Sequence, residues 1–122
     1  MNKRLCATIE LPIKPLSVNQ AFFGKHVRTK LCRDFDNAVC MLLKSKYNGV
    51  RIDGWVELHY IFHLKNWKRT DGDNLIKVLQ DSIVRCGLIE DDCKVARYII
   101  EKRAAKEDGI TVTITAAKSP DE

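Results

Sequence analysis

The sequence contains no long apolar run, and this absence argues against a helix that crosses a membrane. Such a span needs roughly 18 consecutive apolar residues, and no stretch of the 122 residues approaches that length. The N-terminus starts with basic residues, but Glu10 and Pro12 interrupt the apolar stretch behind them, so we do not expect a signal peptide. Neither end carries a lipidation motif. The sequence therefore predicts a protein without a membrane partner.

Cysteine is present, but not in the spacing that a zinc site requires. No two cysteines form a C-x-x-C motif, which leaves zinc ligation without support. We predict reduced, mostly buried thiols, as is usual for proteins of the cytoplasm. The cysteines are Cys6, Cys32, Cys40, Cys86 and Cys93.

Internal repeats, low-complexity segments and linkers are also absent. A chain of this length without them predicts a single domain that spans residues 1–122. Its 45% apolar residues are enough for one core. Residues 12–26 contain two prolines and a glycine and predict an ordered loop.

Apolar periodicity predicts the secondary structure. Alternation with period two is typical of strands, and recurrence at helical spacing is typical of helices. We expect the last two strands to form a hairpin across the turn "KEDGI". The predicted fold class is a small α+β domain with a mixed sheet, two main helices and the order β-α-β-α-β-β. The predicted strands cover residues 5–11, 55–64, 95–103 and 109–116, and the predicted helices cover residues 30–47 and 73–86.

Charge is distributed unevenly along the chain. The net charge is +5, but residues 71–92 hold six acids and two bases, a net charge of −4, so the other 100 residues carry +9. A solvated acidic face could produce this distribution by chance. A cup of carboxylates for a divalent cation, within a surface that binds a polyanion, would also produce it.

Asp71 and Asp73 flank a glycine directly ahead of the second predicted helix. One aspartate at a helix start is often an N-cap, and Thr70 or Asp71 could serve as the cap alone. A second acid two residues later is more than capping needs. If Asp71 is extended, both carboxylates point the same way and could face one metal ion. The spacing leaves two interpretations open, a metal site and a helix cap with an acid that complements the helix dipole.

Lys77 lies four residues after Asp73 and four before Asp81, so the three share one helical stripe. The stripe is either a salt-bridge ladder on a solvated face or a position from which Lys77 meets a phosphate. The stretch "DGDN" begins like an EF-hand loop, but the glycine and the final glutamate of that loop are missing. We therefore do not expect a calcium-storage site.

Glu90, Asp91 and Asp92 form a second acidic group after the helix. The group is either a polar turn or a set of carboxylates that returns to the start of the helix, which is about 21 Å long. His59 and His63 lie on one predicted strand, about 13 Å apart, and cannot share an ion. We predict structural or surface roles for these two histidines.

Basic residues precede both helices. One group surrounds His26 and follows two phenylalanines, a mixture that can bind a backbone and stack a base. A second group leads directly into the first aspartate. Many such residues merely solvate a surface, but as candidate DNA contacts they are Lys25, Arg28, Lys30, Lys68 and Arg69.

These motifs together resemble the RusA family of Holliday-junction resolvases, small endodeoxyribonucleases often carried by bacteriophages and prophages. The central stretch "DGDNLIKVLQDSIVRCGLIEDDCKV" is similar to the family pattern D-x-D-N-x-x-K-x-x-x-D, followed by a glycine, an acidic pair and a valine. The N-terminal stretch "LPIKPLSVNQAFF" is similar to the Pro-rich strand exit of the family and its asparagine, here Asn19. The resemblance runs nearly end to end.

The resemblance implies a homodimer that resolves four-way junctions by paired symmetric nicks during DNA recombination and repair. It implies Mg²⁺ as cofactor, with Mn²⁺ as a substitute, branched DNA as partner and the cytoplasm of a bacterial cell as location. Two alternatives stay open, a nuclease of flaps, forks or other branched DNA, and a non-catalytic DNA-binding module with a structural acidic cluster. By position, the resemblance implies three metal ligands, Asp71, Asp73 and Asp92, and places Lys77 near the scissile phosphate. It implies that Asn19 contacts DNA. The residues with supporting roles are Asn74, Asp81 and Asp91.

Overall fold

Two long helices and one four-stranded sheet make up most of the fold. The computed structural model describes residues 5–24 and 27–122. None of the described helices is both long and apolar enough to span a membrane. The strands are β1 (Leu5–Leu11), β2 (Phe22–Phe23), β3 (Val27–Arg28), β4 (Val56–Leu64), β5 (Val95–Ala104) and β6 (Gly109–Ala116). The helices are α1 (Val18–Ala21), α2 (Lys30–Tyr47) and α3 (Asp73–Arg85), with a 3₁₀-helix at Asp92–Lys94.

The long elements begin and end within one residue of the predicted bounds. The sheet has the strand order β1-β6-β4-β5. β4 pairs with β5 in parallel and with β6 antiparallel, which confirms the mixed sheet. The predicted hairpin of the last two strands is wrong, because β4 lies between β5 and β6. β4 takes the centre since its apolar side chains would remain partly exposed at an edge.

Side chains on one face of β4 form the centre of the core, as their alternation predicted. Val56, Leu58, Tyr60, Phe62 and Leu64 are all buried. The long helices complete this core with one apolar face each. The contributing residues are Phe35, Val39 and Leu43 of α2 and Leu75, Val78, Leu79 and Ile83 of α3.

The two histidines of β4 lie on its other face and have separate partners. His63 Nε2 is 2.9 Å from the Thr111 hydroxyl, and His59 Nε2 is 3.4 Å from a carboxylate oxygen of Glu101. These contacts agree with the structural roles that we predicted.

Residues 12–24 are more regular than the predicted loop. Ser17 and Gln20 form a capping box that starts the one-turn helix α1. In this box the Ser17 hydroxyl accepts a hydrogen bond from the backbone N–H of Gln20 at 3.3 Å. β2 and β3 then pair as a short hairpin. Serine and asparagine favour loops as much as helix caps, which is why periodicity missed α1. Lys25 and His26 lie outside the described residues.

An ionic cluster and a disulfide join α2 to α3. The buried Asp36 carboxylate accepts from Arg28 Nη1 at 2.7 Å, and it also accepts from the Ser82 hydroxyl and the Arg85 guanidinium. We call these four residues the ionic anchor. A disulfide also joins Cys40 to Cys86, whose Cα atoms are 5.5 Å apart.

The disulfide corrects the prediction that all thiols are reduced. Helix packing brings together two cysteines that are 46 residues apart in sequence, a pairing that local spacing cannot reveal. Of the other cysteines, Cys32 is buried, Cys6 is half-buried and Cys93 is exposed.

Candidate active site

α3 begins without a side-chain cap. Its N-cap residue is Gly72. The Thr70 hydroxyl donates instead to the Asn66 carbonyl at 2.8 Å, and Asp71 contributes only its backbone carbonyl to the first turn. Neither aspartate therefore caps α3 with its side chain, although Asp73 lies in the first turn, where an acid complements the helix dipole. The carboxylates of Asp71 and Asp73 are exposed and remain available to a ligand.

The glycine between the aspartates packs against β5. A Cβ atom at Gly72 would lie 3.4 Å from Ile100 Cγ2 and 3.7 Å from Lys102 Cγ. Lys102 Nζ in turn donates to the carbonyls of Trp67 and Thr70, both at 2.8 Å. Lys102 thus ties the turns ahead of α3 to the sheet. Sequence reasoning missed this role because a lysine on an edge strand usually only solvates the edge.

A surface cavity beside α3 collects four of the predicted site residues. Its volume is about 500 Å³. Asp73, Lys77 and Asp81 line it from α3, and Asp92 lines it from the 3₁₀-helix. The second acidic group therefore does return to the helix, which the sequence permitted but could not establish. We call this space the acidic cavity, and its other lining residues are Ile76, Gln80, Tyr98 and Ile100.

A chain of hydrogen bonds connects the core to the wall of the acidic cavity. The buried Tyr60 hydroxyl donates to Gln80 Oε1 at 2.8 Å, and Gln80 Nε2 donates to the Tyr98 hydroxyl at 3.1 Å. Burial raises the pKa of the Tyr60 hydroxyl well above its usual value, so Tyr60 remains a donor. The chain fixes the orientation of Gln80 and Tyr98. Neither residue gave a recognisable signal in the sequence.

Of the two salt bridges in the predicted ladder, Lys77 forms the one with Asp81. Its Nζ lies 3.2 Å from Asp81 Oδ2, and its side chain is 61% exposed. Among the described residues, no ion pair joins Lys77 to Asp73. An exposed pair of this kind stabilises a helix by only a few tenths of a kcal/mol. The ammonium group therefore stays at the cavity wall and remains accessible to an anion.

Asp91 and Asp92 have opposite pKa shifts. A hydrogen bond between the two carboxyl groups lowers the pKa of Asp91, and backbone N–H groups lower it further. The same hydrogen bond raises the pKa of Asp92, and desolvation and the charges of Asp91 and Asp81 add to this rise. Asp92 therefore holds a proton more readily than Asp91 does. A cation in the acidic cavity would favour the ionised form of Asp92.

Asp71 lines a different cavity from Asp73. Gly72 already has helical backbone angles, φ −62° and ψ −36°, so the strand alternation that would align the two carboxylates does not apply. Asp71 lines a neighbouring cavity of about 540 Å³. The strand geometry on which the shared site depended is therefore not present, and a metal ion shared by Asp71 and Asp73 stays a prediction.

The donor chemistry of the acidic cavity suits magnesium, although its carboxylates do not form a closed cage. Among the described residues, no three carboxylate, imidazole or thiol groups lie close enough together to hold one ion. Mg²⁺ commonly binds through one or two carboxylates and completes its shell with water and substrate phosphates. Asp73 and Asp92 in one cavity fit that requirement.

The predicted DNA contacts differ in their surroundings. Arg28 belongs to the ionic anchor, and Lys30 Nζ lies 3.1 Å from Asp34, so both have partners within the chain. Lys25 lies outside the described residues. Contact with DNA stays a prediction for all of them. The exposed ones without an ionic partner in the described ranges are Asn19, Lys68 and Arg69.

A comparison with protein families places this arrangement in a known class of enzyme. A family model described as endodeoxyribonuclease RusA matches residues 12–115. The chain belongs to the RusA endodeoxyribonuclease family. The matched range includes both cavities and most of the sheet, and it confirms the resemblance that the central motif indicated. No curated protein matches the chain. Membership of the RusA family makes the chain a nuclease at the level of its family.

Proposed function

We propose that this chain is a Mg²⁺-dependent, structure-specific endodeoxyribonuclease that resolves Holliday junctions by paired symmetric nicks. Membership of the RusA family supports the nuclease activity. The observation that carries the proposal is the acidic cavity, where Asp73, Lys77 and Asp92 meet from two separate elements. Neither Asp73 nor Asp92 caps a helix with its side chain, and both lie in a chain of net charge +5. Carboxylates that share a surface with DNA need a cation between them and the phosphates.

The proposed metal site combines residues from both cavities. Asp73 and Asp92 would hold Mg²⁺, or Mn²⁺ in its place. Asp71 would join them as a third ligand only if its side chain turned from the neighbouring cavity towards the ion. Mg²⁺ held by these residues would supply polarisation of the scissile phosphate and a lower pKa for the attacking water. Asn74 and Asp91 would support these ligands.

Lys77 has a proposed role of its own. Its ammonium group offsets the negative charge that develops on the phosphate during cleavage. Asp81, 3.2 Å away, keeps the ammonium at the cavity wall and acts as a positioning residue. No histidine or cysteine nucleophile is required.

Homodimerisation is part of the proposal. A twofold dimer presents two symmetric sites, which matches the two symmetric strands that a four-way junction offers for cutting. Light scattering of the purified protein measures its oligomeric state. A monomer that cuts both strands independently would contradict the paired mechanism.

Two alternatives lead to different results in one assay. The test is cleavage of an end-labelled four-way junction, a flap and a linear duplex, each with Mg²⁺ and with EDTA. We expect symmetric nicks in the junction, with metal present and not with EDTA. Equal cutting of the flap would make the chain a general nuclease of branched DNA. Tight junction binding without cutting in Mg²⁺ or Mn²⁺ would make it a non-catalytic binding module.

A further inference from the structure

The hairpin of β2 and β3 carries an exposed apolar pair that the proposed active site does not use. Phe23 and Val27 are partners across the two strands, and they are 69% and 59% exposed. Directly opposed residues place their Cβ atoms roughly 5 Å apart, so the two side chains form one patch. We call this pair the apolar tip. Single exposed apolar residues are common on protein surfaces, but an adjoining pair on a hairpin indicates a contact surface.

The other residue pair of the hairpin fixes it to the rest of the fold. Phe22 is partly buried against the core, and its partner Arg28 belongs to the ionic anchor. Thr29 donates its hydroxyl to the Gln20 carbonyl and its backbone N–H to the Ala21 carbonyl, both at 2.8 Å. The hairpin is therefore held at its base, and the apolar tip keeps its place when it meets a partner.

Charge around the hairpin is positive. Residues 22–33 contain four bases and no acid. Arg33 is exposed, and its Nη1 donates to the Arg28 carbonyl at 2.9 Å. Within the described ranges Arg33 forms no ion pair, so its remaining N–H groups can meet a phosphate. A partner that combines negative charge with flat apolar faces matches this surface, and DNA supplies both in its phosphates and bases.

The apolar tip lies close to the proposed chemistry. Gln20 lines the cavity of about 540 Å³ that Asp71 also lines. Phe23 is three residues from Gln20, which places it at most about 11 Å away along the chain. DNA held beside Asp71 therefore passes within reach of the apolar tip.

We infer that the apolar tip is a wedge for the branch point of the DNA, and that it gives the enzyme a preference for branched over linear DNA. Phe23 inserts beside a base whose stack the branch point interrupts, Val27 supports the ring, and Arg33 holds the adjoining phosphate. A side chain that inserts between bases must unstack them, and this cost is lowest where pairing is already interrupted. The wedge therefore favours a junction over a continuous duplex. This inference rests on the proposed function.

The test uses variants of the apolar tip. Phe23→Ala removes the wedge, whereas Phe23→Trp keeps an aromatic ring. The matched control is Met41→Ala, because Met41 is 74% exposed on α2, about 16 Å along that helix from its start. Both positions are exposed, so the melting temperatures of all three variants should match that of the wild type.

The readout is binding to a four-way junction that carries 2-aminopurine at its branch point, in Ca²⁺, beside a linear duplex. The fluorescence of this base rises when it unstacks. We expect the rise with the wild type, Phe23→Trp and Met41→Ala. Phe23→Ala should lose most of the rise and bind the junction about tenfold more weakly, with its duplex affinity unchanged. Arg33→Met should weaken junction and duplex binding alike.

Failure of the inference and failure of the proposed function give different results. If the wild type cuts junctions in Mg²⁺, and Phe23→Ala keeps the fluorescence rise and the junction preference, the wedge is wrong and the resolvase stands. If the wild type does not cut, the proposed function fails and the titration still decides on the wedge. A rise that depends on Phe23 would support it, and the absence of a rise would overturn it.

Light scattering tests a different occupant of the apolar tip. If Phe23→Ala converts a dimer into a monomer, a second copy of the chain covers the tip and the inference is overturned. We expect Phe23→Ala to keep the oligomeric state of the wild type.

Discussion

The two ends of α3 both gather acids and bases, but they hold them in different ways. At the C-terminal end, the ionic anchor buries Asp36 between two arginines and a serine. At the N-terminal end, Asp73 and Asp92 are exposed, and no basic side chain of the described residues pairs with them. A buried charge with full hydrogen bonding holds elements together, whereas an exposed and unpaired one can still bind a ligand. The same residue type thus serves packing at one end and, we propose, chemistry at the other.

Asp73→Asn should have the largest effect at the N-terminal end. Losing a proposed metal ligand should slow junction cleavage by about a thousandfold or more. Junction binding and thermal stability should change little, since Asp73 has no partner within the described chain. Single-turnover cleavage and a binding titration in Ca²⁺ measure the two properties separately. Cleavage at the wild-type rate would remove Asp73 from the metal site.

Asp36→Ala should lower stability by breaking the ionic anchor. The substitution removes three interactions of a buried carboxylate. We expect a loss of about 3 kcal/mol in the free energy of unfolding, at the low end of the range for broken buried pairs, because both arginines are partly exposed. Urea unfolding measures it. Asp34→Ala is the matched control, since Asp34 forms an exposed pair on the same helix, and an equal loss in both variants would contradict the comparison.

Removing the disulfide should lower stability and leave the chemistry intact. Cys40→Ala should reduce the free energy of unfolding by about 2–4 kcal/mol, with the cleavage rate per folded molecule unchanged. Cys93→Ala, at an exposed free thiol, is the control and should have no effect. Thiol titration of the unfolded, unreduced wild type should give three free cysteines. A titration of all five cysteines would show that the bond had not formed.

Lys77→Met should have the smallest effect of the four, and it should act on rate. We expect cleavage to slow by about 10–100-fold with a smaller loss of junction affinity, because the ammonium acts on charge that develops during the reaction. Comparing kcat with the dissociation constant for the junction measures this split. Lys44→Met, at an exposed lysine of α2, controls for the loss of one positive charge. Equal losses of rate and affinity would make Lys77 an ordinary DNA contact.

Much of the fold could be predicted from the sequence, but the strand order could not. The long helices and strands depend on side chains that recur within a few residues, so periodicity located their ends. Strand pairing depends on which side chains bury each other across the sheet. The hairpin prediction failed because adjacency in the chain suggested a pairing that the apolar character of β4 overrode.

The residues of the candidate site could be predicted from the sequence, but their arrangement in space could not. The motif spacing identified Asp73, Lys77 and Asp92, and these do line one cavity. It could not show that Gly72 starts the helix and turns Asp71 towards another cavity. The roles of Lys102 and Gln80 were also invisible, because each depends on contacts with elements that are distant in sequence.

The sequence by itself determined the long elements, the mixed α+β class and membership of the RusA family, since all three depend on residue type and spacing along the chain. The tertiary structure decided the central place of β4, the Cys40–Cys86 disulfide, the ionic anchor and the division of the aspartates between two cavities. These features arise where segments far apart in sequence meet. Their stability depends on burial and pairing, and local patterns carry no information about either.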